Sequence, residues 1–475
     1  MAVSSPTEYP QSPLPKTLGE LRASGYQVLT VRDEMRRNLM RKLADGSDIF
    51  PGIVGYDDTV VPQLENAILS GQDIILLGER GQAKTRIIRA LTTLLDDVTP
   101  TIDGADIPEN PFAPISVMGR RIVEAQGDAT PIAWIPREAR YGEKLATPDI
   151  TIADLIGEVD PIKIAEGRYL SDELTIHYGL IPRTNRGIFA INELPDLAER
   201  IQVGLLNVME ERDVQIRGFK VRMDIDVMIV ATANPEDYTN RGRIITPLKD
   251  RYGAQIRTHY PLALEHEIEI MEAESTKLDL GEYKITVPSY MKEIVAELVR
   301  AARRSPDVSQ RSGVSVRATV SSYEAMIANA LRRAIRVGEQ EVVPRISDLP
   351  FVLPSLQGKV EFETMEEGRE DKIVARILNE AVRGVFDRHA RVMDLENVID
   401  AFETGATADI GEVLPAAAYK EITGRIPGMR EALAVIAPNS TSVVQAAAVE
   451  FILEGLHLNK KLNKNQLQGQ ARYRG

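Results

Sequence analysis

The sequence predicts an α/β nucleotide-binding core built on a parallel sheet, followed by an α-helical lid and a C-terminal helical extension. Three observations lead there. From Asp73 the run DIILLGERGQAKTRIIRALTTLL passes from an apolar strand through a glycine turn into an amphipathic helix. Two more apolar strands, 187–192 and 227–232, flank a helix over 198–212. Strands that alternate with helices favour a parallel sheet covered on both faces. Beyond about residue 265 the pattern turns helical, at 265–274, 288–304, 316–336 and 371–388, with a further helical stretch to His457.

Taken in order, residues 1–45 read as an N-terminal arm, Pro-rich at first and then helical over 17–22 and 31–43. Residues 46–264 form the α/β domain, which begins with a turn-rich stretch and a helix, FPGIVGYDDTVVPQLENAIL. Between 100 and 150 the chain is rich in Pro, Gly, Asp and Thr, with strand-like pieces at 115–117 and 132–135, and reads as an insertion on the core. The lid spans 265–360 and the C-terminal extension 361–475.

Composition narrows the chemistry. A chain of 475 residues with 43% apolar residues can build two to four domains with a sizeable core. No apolar run approaches the roughly 20 residues that span a bilayer, and MAVSSPTEYPQSPLPK lacks the features of a signal peptide. A cytoplasmic protein without membrane contact is expected. With no cysteine there are no disulfides, thiolate nucleophiles or cysteine-based metal sites, and the five histidines show no ligand spacing. The net charge of −13 argues against a nucleic-acid partner. One basic stretch stands out from His457, with Lys460, Lys461, Lys464, Arg472 and Arg474. It reads as a solvated tail, with contact to an acidic partner as the alternative.

The glycine turn carries the main candidate site. Gly78, Glu79, Arg80, Gly81, Gln82, Ala83, Lys84, Thr85 and Arg86 follow the phosphate-loop pattern G-x-x-x-x-G-K-[ST], with alanine at its second glycine. Lys84 would supply a point charge to β and γ phosphates, and Thr85 a hydroxyl for Mg²⁺. Alanine at 83 is harmless if that residue has ordinary helical backbone, because only a positive φ penalises its Cβ.

Chemistry on a bound nucleotide also needs polar groups at the ends of neighbouring strands. GIFAINEL supplies Asn192, where such enzymes place an aspartate beside Mg²⁺, and then Glu193, which could orient or deprotonate a water. Asparagine accepts a hydrogen bond but brings no charge, so weaker Mg²⁺ affinity is expected. DVMIVATANPEDY ends a strand at Asn234, whose amide could hold water or a phosphate, although Asn-Pro is also an ordinary turn. Arg251 in ITPLKDRYG and Arg317 in SGVSVRATV could each grip phosphate oxygens. A surface ion pair with Asp250 or another acid is the plainer reading of Arg251.

In this order and spacing the motifs resemble the AAA+ ATPases, and more narrowly the clade of magnesium chelatase subunit I and the MoxR proteins. LLGERGQAKT, HYGLIPRTNRGIFAINELPDL and IQVGLLNVMEERDVQIRG are similar to that clade's phosphate loop, its Walker B stretch and the hairpin after it. The resemblance runs from about residue 50 to about 357. It implies Lys84 and Thr85 as the Walker A pair, Glu193 as the Walker B glutamate, Asn234 as sensor 1, Arg251 as an arginine finger acting in trans and Arg317 as sensor 2. Implied too are ATP and Mg²⁺ as cofactors, Thr85 and Asn192 as metal-side groups, and a homo-oligomeric ring, usually a hexamer. A separate von Willebrand factor A domain protein is the implied partner, since no Asp-x-Ser-x-Ser motif occurs in this chain. The function implied is a motor that hydrolyses ATP to remodel or activate a protein, as a chelatase subunit or as a MoxR-like chaperone. Asn192 departs from the family's Asp-Glu and leaves open a scaffold that binds nucleotide without hydrolysing it.

Overall fold

In the computed structural model, described for residues 14–475 except 161, 163–164, 166–172, 216–221, 235–242, 278–280, 310–312, 364–368 and 468–469, the apolar strands lie side by side. The chain divides into two compact units, one of residues up to 79 with 83–259, the other of 80–82 with 260–475.

The first unit is organised by five strands, Ile74–Leu77 (β1), Tyr141–Leu145 (β2), Gly187–Asn192 (β3), Val227–Ala233 (β4) and Ala254–Arg257 (β5). All are parallel, in the order β5-β1-β4-β3-β2. Every residue of β3 and β4 is buried, which is why these strands read as unbroken apolar runs. Their side chains alternate between two cores. Ile74, Leu76, Ile188, Ala190, Met228 and Val230 face helices Val31–Asp45 (α1), Val60–Leu69 (α2) and Lys84–Ala90 (α3). Ile75, Phe189, Ile191, Ile229 and Ala231 face Leu205 and Val208 of Glu199–Glu210 (α4).

The segment expected as an arm puts α1 into this core. Met35 and Leu39 are fully buried, and Glu34 receives a buried two-point ion pair from Arg140 (2.6 and 2.7 Å). Thr30 caps the helix by accepting from the Asp33 N–H, and Gly46 ends it with φ 66°. Region 100–150 is partly an elaboration: Val98–Ile102 and Ile132–Pro136 pair antiparallel. The strand-like reading of 115–117 is corrected, because the Ser116 hydroxyl accepts from the Gly119 N–H and starts a helix at Val117. β2 belongs to the main sheet, where Tyr141 pairs with Ile188 and Leu145 with Asn192.

The second unit is mostly helical, with Leu264–Glu274 (α5), Ser289–Arg304 (α6), Val316–Val337 (α7), Arg369–Ala390 (α8) and Ser442–Leu458 (α9). Ile294, Leu298, Met326, Val385, Phe386 and Phe451 share its core, and the Tyr290 ring stacks on Phe451 at 4.3 Å. A buried charge network ties α7 to residues 339–348 and these in turn to α9. Arg333 donates to Asp348 (3.1 Å) and to Val343 O (2.6 Å), Arg345 pairs with Glu339 (3.1 Å), and Glu450 of α9 accepts from the Ser347 N–H (2.8 Å).

Two expectations for this half are corrected. Strands do not vanish after 265: Thr407–Gly411 (β6), Asn463–Leu467 (β7) and Gln470–Arg474 (β8) form an antiparallel sheet in the order β6-β8-β7. Nor is the basic tail merely solvated. Tyr473 is fully buried, Lys464 pairs with Glu454 (2.7 Å), and Arg472 makes a two-point pair with Asp409 (2.6 and 2.9 Å). The tail holds no acid of its own, and the acids that anchor it come from α9 and β6.

Candidate functional site

Phosphate-loop chemistry needs a cation fixed at the carboxyl end of a parallel sheet. Gly78 leaves β1 there, and α3 begins at Lys84. Gly81 has φ 76°, a conformation that glycine adopts freely. Ala83 has φ 55° and ψ 14°, so the condition under which alanine would be harmless there is not met. Position 83 keeps the left-handed geometry of the missing glycine, and alanine adopts it at a cost of about 1 kcal/mol.

Lys84 is 7% exposed, uncommon for a lysine. Its ammonium donates to Gly78 O, to Glu79 O (2.8 Å) and to Asn234 Oδ1 (2.5 Å). Through its Nδ2, Asn234 donates in turn to Glu193 Oε2 (2.6 Å). Three residues singled out from the sequence therefore form one hydrogen-bonded chain, Lys84–Asn234–Glu193. Period-2 geometry explains the meeting: Asn192 follows Ile188 and Ala190 on the α3 face of β3, while Thr232 and Asn234 continue the matching face of β4. Glu193 then turns with φ 56° and ψ 50°, held by its N–H to the Thr232 hydroxyl (3.0 Å). Left-handed backbone at a non-glycine residue is strain of the kind that gathers at working sites. Thr85 is half-buried on the first turn of α3.

Asn192 is 8% exposed and donates from Nδ2 to Glu143 Oε1 at 2.5 Å. Glu143 also accepts from Arg89 Nε and Nη2 (both 2.9 Å) and from the Tyr141 hydroxyl (3.1 Å). Burial works against its charge, but the hydrogen bonds from Arg89 and Tyr141, the Arg89 charge and the Asn192 amide hold its carboxyl below the ordinary range. Burial, and then the same carboxylate, push the Tyr141 phenol up. Sequence reasoning misses Glu143 because β2 reads as part of an insertion. No local signal marks it, because its place depends on the pairing of β2 with β3.

Neither Arg251 nor Arg317 is part of the Lys84–Asn234–Glu193 chain. Arg251 ends the short helix Thr246–Arg251 and pairs with Glu210 of α4 (2.6 Å) and with Asp250 (3.3 Å). The hydrogen bond to Glu210 raises its already high pKa. Arg317 lies in the second unit, exposed on the first turn of α7, where its guanidinium makes no hydrogen bond or ion pair among the described residues. Among the described residues no group of three or more His, Cys, Asp or Glu side chains could hold a metal ion, and no helix is long and apolar enough to cross a membrane. A buried lysine, a threonine hydroxyl one residue on and a sheet-end amide beside a carboxylate suit a nucleotide phosphate with its Mg²⁺ better than a protein-only metal site.

A parallel sheet with a phosphate loop leaving β1 and polar groups on the ends of β3 and β4 defines a P-loop nucleotide-binding protein. The Sigma-54 interaction domain model matches residues 166–248. The magnesium-chelatase 38 kDa subunit of Rhodobacter capsulatus is 26% identical over 271 residues, 54% of this chain and 70% of that protein. Magnesium-chelatase subunit ChlI of Nostoc sp. is 23% identical over 355 residues, 69% of this chain and 89% of its own. A solved structure of the complex between subunits BchI and BchD of magnesium chelatase aligns at 20% identity and a TM-score of 0.35, covering 68% of this chain and 98% of the other. The chain is similar to proteins of the AAA+ family, and within it to magnesium chelatase subunit I.

Proposed function

We propose that the protein is a ring-forming motor that binds and hydrolyses ATP and uses the cycle to remodel or activate a protein partner. The observation that carries this reading is the chain Lys84–Asn234–Glu193 at the end of the sheet. Lys84 would exchange its carbonyl and amide acceptors for β and γ phosphate oxygens, while Thr85 and Asn192 Oδ1 face the metal side. Mg²⁺, when bound with ATP, supplies positive charge to the phosphates. Glu193, released from Asn234 or polarised through it, would accept the proton of an attacking water. Arg251 would reach a neighbouring subunit's nucleotide only by leaving Glu210, so assembly and activity would be coupled. Arg317 is the corresponding cation of the lid.

Chelatase subunit and MoxR-like chaperone are the two jobs that fit such a motor, with a separate von Willebrand factor A domain protein as the expected partner of a homohexamer. Asn192 favours a second reading, a scaffold that binds nucleotide and does not hydrolyse it. Steady-state ATP hydrolysis with Mg²⁺ over a range of protein concentrations decides between them. The motor predicts turnover that rises steeply with concentration and is absent in Lys84→Ala. ATP binding without turnover at any concentration would leave the scaffold.

A further inference from the structure

Asn192 lacks the charge that a sheet-end aspartate would place beside the phosphate loop, yet a carboxylate lies against it. Glu143 Oε1 accepts from Asn192 Nδ2 at 2.5 Å. Both side chains point to the same face of the sheet, since Glu143 pairs in register with Ala190, two residues before Asn192. That face is covered by α3, which begins with Lys84 and Thr85 and presents Arg89 to the other oxygen of Glu143. The carboxylate is thus held at both ends, by Arg89 and Tyr141 on Oε2 and by Asn192 on Oε1.

The contact also fixes which way the amide faces. A carboxylate can only accept, so it can engage only the NH₂ end of Asn192. The oxygen end is left to the Thr232 hydroxyl at 3.4 Å, on the side of Glu193 and the loop. Without Glu143 the amide could turn over and present a donor where a cation's hydration shell needs an acceptor. A hydrogen bond to an ionised group also polarises the amide and strengthens its oxygen as an acceptor.

We propose that Glu143 is a positioning residue for Mg²⁺: it holds Asn192 with the amide oxygen toward the nucleotide site and lends it the negative charge that asparagine lacks. The division of labour is between two strands, with the acceptor on β3 and the charge on β2. This inference rests on the nucleotide-binding reading above.

The test is a Mg²⁺ titration of ATP affinity, followed with a fluorescent ATP analogue and repeated in EDTA, with thermal melting to verify the fold. Glu143→Ala is expected to raise the Mg²⁺ midpoint roughly ten- to a hundredfold, the usual effect of removing an outer-shell partner, while affinity in EDTA stays at the wild-type value. Glu143→Gln, which keeps an acceptor but not the charge, should fall between. Combining Asn192→Asp with Glu143→Gln moves the carboxylate to β3 and should return the midpoint to wild type. An unchanged midpoint in Glu143→Ala, or an equal loss of affinity with and without Mg²⁺, overturns the proposal while wild-type ATP binding leaves the nucleotide reading intact. Wild type that fails to bind the analogue at all removes both.

Discussion

The two units use charge in opposite ways. In the second unit the buried arginines are matched by carboxylates, Arg333 by Asp348 and Arg345 by Glu339. Such a network fixes one packing and leaves little to offer a ligand. At the sheet end of the first unit, the partners of the Lys84 ammonium include two backbone carbonyls and an amide oxygen. A phosphate can displace acceptors of that kind. The difference teaches that burial alone does not mark a site. What marks it is burial of charge against partners that a ligand can replace, together with left-handed backbone at Ala83 and Glu193.

Substitutions in the two places should therefore separate activity from stability. Glu193→Gln should cut ATP turnover by roughly 10² to 10⁴, the worth of a general base, and leave the melting temperature near wild type. Equal turnover in the two proteins would break the assignment. Asp348→Ala should do the reverse. It strands Arg333 in the interior, for a loss of about 3–5 kcal/mol in denaturant unfolding. A loss under about 1 kcal/mol, no more than a surface pair contributes, would mean that the network is not what holds α7 in place. Ala83→Gly relieves a left-handed alanine, and after the greater freedom of glycine in the unfolded chain is allowed for, a gain of at most about 1 kcal/mol remains. A clear destabilisation there would contradict the backbone geometry. Smallest of all is Arg472→Ala, an exposed pair with Asp409 at the surface of the small sheet. Its thermal midpoint should match wild type, and a marked drop would show that the tail is held chiefly by that pair and not by Tyr473.

Much of this contrast is legible in the sequence. The apolar runs of β1, β3 and β4 read as buried strands, and helices α6, α7 and α8 keep their 3.6-residue period nearly to their ends. Lys84, Asn234 and Glu193 can be foreseen because each sits where its strand or loop ends. β2 cannot, since an edge strand with Tyr141, Glu143 and Lys144 has too little apolar character to separate from the loops around it. Glu143 is hidden for the same reason, because its role depends on a pairing with β3 that no local pattern records. The tail misleads through distance too: Asp409 lies 63 residues from Arg472. The backbone at Ala83 goes the other way, for the sequence shows an alanine and only the fold shows that it does a glycine's work.

Calorimetric titration of ATP into the protein, wild type beside Lys84→Ala, shows whether the buried lysine holds a nucleotide phosphate. Wild type should bind saturably, and the variant roughly tenfold or more weakly through loss of a charge-assisted hydrogen bond. Equal affinity in the two proteins, or no heat of binding in either, would contradict that role for Lys84.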